Sequence, residues 1–202
     1  MSEICEKALD PRVRRTRQML RDAMVTLFAT KSFDAISIQD IAEQATVNRA
    51  TFYAHYVDKT DLLADILRHR FVSLLEAREV RFDGTCPSAL KVVILAVYDF
   101  LKETYIHCNH EHSHCDPFIQ TVVHSQVERV LFKGLEKGAF QTGRSPSLVA
   151  ATLSWAIYGA ATAALHEENP PEPETFVNEI FELVLPIMIP PGMSMVEEHA
   201  HG

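Results

Sequence analysis

At 202 residues the chain is long enough for one medium or two small domains and can bury a real core. With 47% hydrophobic and 23% charged residues and only 7 glycines, the composition is globular and argues against long disordered tracts. A net charge of −8 excludes a surface that is basic throughout, so any nucleic-acid binding has to be local. In chain order, Leu20, Ala23, Met24, Leu27 and Phe28 recur at three- and four-residue steps and predict a first amphipathic helix that ends near Thr30. Ser37 then precedes Ile38, Ile41, Ala42 and Ala45, a short second helix with Asp40 at the capping-box position. After Thr46 a third short helix is expected from about Asn48 to His55. Asp58, with Asp61 behind it, caps a long fourth helix burying Leu62, Leu63, Ile66, Leu67, Phe71 and Leu74, and Asp83-Gly84 breaks it.

The remainder also reads as helix. Ser88 to about Tyr105 carries an apolar stripe, and Phe118 to Lys137 carries another, as one helix or two. Pro146 opens a helix running to about Glu167, Asn169-Pro170-Pro171 stops it, and Pro173 to Met188 makes the last. No strand alternation or internal repeat is present. The expectation is an all-α chain of about nine helices. It comprises a three-helix helix-turn-helix domain over 11–57, a helical bundle over 58–189 and a flexible tail over 190–202. No apolar run is expected to reach the roughly 20 residues of a membrane helix. Met1–Asp10 lacks the apolar stretch of a signal peptide, so a cytoplasmic protein without a membrane partner is expected. Cysteines 5, 86, 108 and 115 make no compact disulfide framework.

The charge is unevenly placed. Residues 11–60 hold 8 basic and 5 acidic side chains, whereas residues 61–202 hold 10 and 19. That polarity suits a small DNA-reading head on a body that phosphates repel. Within the head, residues 36–59 combine two short helices, a tight turn and a second helix rich in small, polar and aromatic groups, as a major-groove reader requires. Asn48 and Arg49 stand at the start of that helix, where an amide and a guanidinium can pair with adenine or guanine edges. Ala50 and Thr51 allow close approach, and Ser37, Thr51, Tyr53, His55 and Lys59 can donate to phosphate oxygens. Phe52 would point inward. Arg12, Arg14, Arg15 and Arg17 could form an arm reaching a minor groove, or a solvated first turn.

Thr51-Phe52-Tyr53-Ala54-His55-Tyr56-Val57-Asp58-Lys59, followed by Asp61-Leu62-Leu63, closely resembles the signature of the TetR/AcrR family of transcriptional regulators. Leu27 to Ser37 is similar to that family's first helix and turn, and the resemblance is specific over about residues 12–67. It implies that Ser37, Gln39, Asn48, Arg49, Ala50, Thr51, Tyr53, His55 and Lys59 face DNA. Thr46 and Ser32 stand where the family usually has glycine; a β-branched Thr46 would be strained at positive φ, so the turn is expected to adjust. The resemblance further implies a homodimer on a palindromic double-stranded operator, released as a repressor by a small-molecule effector. Trp155, Tyr158, Ala161, Phe181 and Leu185 are the expected dimer contacts, on helices whose small residues permit close approach. Phe71, Tyr98, Tyr105, Phe118, His124 and Trp155 are the expected surroundings of an effector cavity.

One segment fits none of this. Cys108, His110, His112, His114 and Cys115 fall within eight residues, with ligand types suited to Zn²⁺ or Cu⁺ but no standard spacing. It supports an alternative, a metal- or thiol-sensing regulator on the same scaffold; otherwise no cofactor is expected. A remoter alternative is an all-α enzyme or metal-binding protein. Yet the chain has no nucleophile elbow, phosphate-cradling glycine loop or His-Glu-x-x-His motif, so no enzymatic activity is expected.

Overall fold

The computed structural model describes residues 10–79, 88–107, 116–137 and 143–188. These form eight helices, against the nine or so expected, and no strand among the described residues. They are α1 (Pro11–Phe28), α2 (Ile38–Gln44), α3 (Arg49–Tyr53), α4 (Lys59–Ala77), α5 (Ser88–His107), α6 (Asp116–Glu136), α7 (Pro146–Leu165) and α8 (Pro173–Met188). The segment between Phe118 and Lys137 is thus part of one helix, not two. The chain divides into two compact units between His69 and Arg70, inside α4.

Local chemistry explains each boundary in the first unit. The Asp10 carboxylate accepts the Arg12 N–H at 2.8 Å, and Pro11, lacking an N–H, sits where helix N–H groups have no partner. Arg12, Arg14, Arg15 and Arg17 therefore lie on a capped helix, not on an extended arm. Ser37 and Asp40 form the expected reciprocal capping box of α2. The Asn48 side chain caps α3, and the Asp58 carboxylate accepts from the Asp61 N–H at 2.8 Å to start α4.

The turn between α2 and α3 departs from expectation. It has not adjusted to threonine: Thr46 adopts φ 56°, in the left-handed region. Two hydrogen bonds hold it there, from the Thr46 N–H to the Glu43 carbonyl at 3.0 Å and from the Val47 N–H to the Ala42 carbonyl at 2.9 Å. These close a Schellman motif, which needs a left-handed residue after the helix and normally takes glycine. Ser32, the other glycine substitute, is not among the left-handed residues.

Leu20, Met24, Ile36, Ile41, Ala42, Phe52, Tyr56, Leu62 and Leu63 are buried as the core of the first unit. In the second, α6 packs on α7, while α5 packs on α7 and α8. Phe71 meets Phe100 edge-on with ring centres 4.9 Å apart, and the buried Tyr98 lies 4.6 Å from Phe176. The Tyr98 hydroxyl reaches the Pro171 carbonyl at 2.6 Å, so the one polar atom of this ring is satisfied.

Contrary to the sequence expectation, one helix among the described residues is long and apolar enough to cross a membrane. α7 has 20 residues and a mean hydropathy of 1.5. Its apolar residues serve two faces. Val149, Leu153, Ile157, Tyr158 and Ala161 are buried in the chain's own core, while Leu148, Thr152, Trp155, Gly159 and Ala163 line up at three- and four-residue steps on the exposed side.

Candidate nucleic-acid interface

α3 is only five residues long, so its position depends on anchors at both ends. Phe52 is fully buried, meets Tyr53 edge-on with ring centres 5.6 Å apart, and lies tilted against Tyr56 at 5.9 Å. Burying one such ring is worth about 1.5–3 kcal/mol, enough to hold a single turn of helix that would not persist alone. With Phe52 inward, Asn48, Arg49, Ala50 and Tyr53 are all exposed, as is Gln39 on α2, and Thr51 and His55 are half-buried.

The exposed groups are partly preoccupied. The Asn48 carbonyl oxygen accepts from the Thr51 N–H at 2.8 Å and from the Thr51 hydroxyl at 3.0 Å, leaving its amino group as the outward-facing part. Arg49 folds along α3: its guanidinium donates to the Tyr53 hydroxyl at 3.0 Å and lies 5.5 Å from that ring's centre. Gln39 donates to Glu43 at 2.6 Å. The Ser37 hydroxyl donates to the Asp40 carboxylate at 2.7 Å, and Lys31 pairs with Asp40 at 2.7 Å. Those partners hold the Asp40 carboxyl well below the usual range, chiefly through the bond from Lys31 and then those from Ser37. Burial and then the nearby Arg17 charge push His55 below the ordinary imidazole value.

Lys59 does not stand as the sequence implied. Its ammonium donates to the carbonyls of Phe33 at 2.9 Å, Asp34 at 3.2 Å and Ile36 at 2.9 Å, and lies 4.7 Å from the Phe33 ring centre. An ammonium has three donors, and all three are used inside the chain. Lys59 is a clamp on the turn before α2 and has no donor left for phosphate.

Sequence reasoning also missed a second cluster. Arg21 and Tyr56 are buried, and both donate to the Asp65 carboxylate, at 3.0 Å and 2.6 Å. Arg17 lies 5.1 Å from the Tyr56 ring centre and reaches the His55 carbonyl at 3.4 Å. The available signal was Arg21 itself, a charge within the apolar stripe between Leu20 and Met24. Burial and the bond to Asp65 push the Tyr56 hydroxyl far above the usual phenol range.

In the second unit, the residues expected around an effector are found in separate pairs. Phe71 meets Phe100, Tyr98 meets Phe176, Tyr105 lies 5.5 Å from His166, and His124 lies 4.2 Å from Trp155. Phe118 is half-buried on α6. Of the expected dimer contacts, Trp155 is exposed, whereas Tyr158 and Ala161 are buried within the chain and have no free face to offer. Phe181 and Leu185 are half-buried, and the Lys91 ammonium lies 4.7 Å from the Phe181 ring centre. Cys108, His110, His112, His114 and Cys115, and the tail over 190–202, lie outside the described residues.

Residues 20–66 match the family model described as "Bacterial regulatory proteins, tetR family". The chain is similar to the uncharacterized HTH-type transcriptional regulator YxbF of Bacillus subtilis, 36% identical over 72 residues that make up 35% of this chain and 19% of that protein. It is also similar to the HTH-type transcriptional regulator AcrR of Shigella flexneri, 31% identical over 42% of this chain and 40% of that protein. The chain thus spans less than half the length of these curated relatives. Thermus thermophilus FadR, a TetR-family transcriptional repressor solved with lauroyl-CoA, shares the fold with a TM-score of 0.57 and 19% identity, over 92% of this chain and 99% of its own. Over residues 20–66, from α1 into the first turns of α4, the chain is thus similar to the tetR family of bacterial regulatory proteins.

Proposed function

We propose that the chain is a DNA-binding transcriptional regulator, a cytoplasmic homodimer that represses from a palindromic operator until a small-molecule effector releases it. The observation that carries this reading is the outward face of α3. Asn48, Arg49, Ala50 and Tyr53 are exposed together on a helix locked from behind by the buried Phe52. A helix so held can enter a major groove, where phosphate contacts set its position and side chains meet base edges. The homodimer is supported by the exposed apolar side of α7, where Trp155 is 48% exposed and Leu148 62% exposed. A second copy would cover that stripe, and the open space around Gly159 would let a partner helix come close. Effector binding by the second unit is supported by the lauroyl-CoA held by Thermus FadR on the same fold.

The test is selection of genomic DNA fragments by the purified chain, followed by titration of a selected fragment across a salt series. Binding should be sequence-specific and fall steeply with salt. Arg49→Ala and Tyr53→Ala should each weaken it by about tenfold or more, since one base or phosphate contact is worth roughly 1–3 kcal/mol. Unchanged binding by both variants would refute α3 as the reading helix.

A further inference from the structure

The half-buried carboxylate of Asp65 plays no part in the surface described above, yet it joins three pieces of the head. It stands on α4, receives the Arg21 guanidinium from α1 at 3.0 Å, and receives the Tyr56 hydroxyl from the segment that follows α3 at 2.6 Å. Arg68 lies 3.6 Å from its other oxygen, and Arg21 is further fixed by a bond to Gln18 at 2.9 Å. Tyr56 in turn is tied to α3 itself, because its N–H donates to the Phe52 carbonyl at 3.0 Å and its ring packs on Phe52. Arg21 is 6% and Tyr56 2% exposed and the Asp65 side chain 15%, so water has little access to replace a lost partner.

Such an arrangement is a costly way to fill space. Apolar side chains of the same volume would hold three helices together at least as well, because desolvating a carboxylate and a guanidinium offsets much of their attraction. What apolar packing does not provide is direction. A charge-assisted hydrogen bond has a fixed length and angle, and apolar contacts tolerate sliding. The short bond from Tyr56 therefore sets how far the end of α3 stands from α4 and α1.

We propose that Asp65 is a positioning residue for DNA reading. By holding the Tyr56 hydroxyl beside Arg21, it fixes the tilt of α3, so base-edge contacts depend on a carboxylate that never meets DNA. This rests on the DNA-binding reading above. Fragments selected by the wild-type chain supply the specific probe, and random duplex of equal length the non-specific one. Tyr56→Phe keeps the ring contacts to Phe52 and Arg17 and removes only the hydroxyl. It should lower specific affinity by about tenfold, the equivalent of one buried hydrogen bond to a charged group, and leave non-specific affinity within about twofold. Asp65→Asn should act in the same direction, and the double variant should lose little more than the worse single one, because both act through one bond. A folded Tyr56→Phe chain with an unchanged ratio of specific to non-specific binding would overturn the proposal. So would equal losses on both DNAs, additive losses in the double variant, or a Tyr56→Phe chain that fails to fold, since each assigns the bond to stability alone. A wild-type chain that selects no fragment would overturn the DNA-binding reading and this inference with it.

Discussion

Thr46→Gly should stabilise the head, and the size of the gain follows from the turn itself. Thr46 sits at φ 56°, held there by the two Schellman hydrogen bonds to Glu43 and Ala42. An L-residue in this region bears a cost of roughly 1–2 kcal/mol, from its Cβ crowding the following carbonyl. Glycine removes that cost but brings extra freedom to the unfolded chain, worth about 0.4–1 kcal/mol in the opposite direction. Thr46 is exposed, so no buried contact is lost. The net expectation is a gain of about 0.5–1 kcal/mol. Amide exchange of Val47 and Tyr56 reads it in the right unit, because both N–H groups are bonded within the head. Tryptophan fluorescence serves as the control, since the chain's single tryptophan, Trp155, lies in the second unit and should report no change. Thr46→Ala should gain much less, since alanine keeps the Cβ. Slower exchange in Thr46→Ala equal to that in Thr46→Gly would refute the left-handed strain and leave β-branching as the cause. A loss of protection in Thr46→Gly would refute the strain altogether.

Lys59→Met should destabilise the head by about 1–3 kcal/mol, because three carbonyls lose a charged donor; a urea midpoint within error of the wild type would count against the clamp. The Asp40 carboxyl titrates lower in the folded chain than its ordinary value of 3.8, so its contribution to stability is present above that value and is lost as pH falls through and below it. Asp40→Asn should therefore flatten the acid limb of a stability–pH curve below about pH 4 and change its shape little above that. Trp155→Glu should turn the proposed dimer into monomer in sedimentation, with a change of tenfold or more in the dimer constant, since a half-exposed tryptophan is a common anchor of interfaces. Zinc titration of the full chain and of a Cys108/Cys115 double serine variant addresses the metal-sensing alternative. Stoichiometric uptake lost in the variant supports it, and no uptake removes it.

Much of this architecture was legible because helices announce themselves through local spacing. The apolar steps of α1, the Ser37–Asp40 box and the Pro146 and Pro173 starts all appear where the sequence puts them. What spacing does not reveal is which partner a polar side chain takes when several are near. Lys59 looked like a phosphate donor because it closes the family-like run from Thr51 to Lys59. The loop carbonyls it binds lie 23 to 26 residues earlier and meet it only after folding. Arg21 and Asp65, 44 positions apart, escaped for the same reason. Tyr158 and Ala161 were assigned to an interface because Leu153–Leu165 combines large aromatics with small residues, and that composition cannot say which face of α7 is kept inside.

The capping role of Asn48 has a consequence for the alphabet of the proposed operator. A free asparagine amide distinguishes adenine by donating to one atom and accepting from another at the same time. With its oxygen already bonded twice by Thr51, Asn48 can only donate. A lone donor meets acceptors on guanine, adenine and thymine alike and is turned away only by the amino group of cytosine. With α3 as the reading helix of that proposal, the letter beneath Asn48 should be loosely specified, with three bases tolerated and one avoided, and the sharper letters should lie under Arg49.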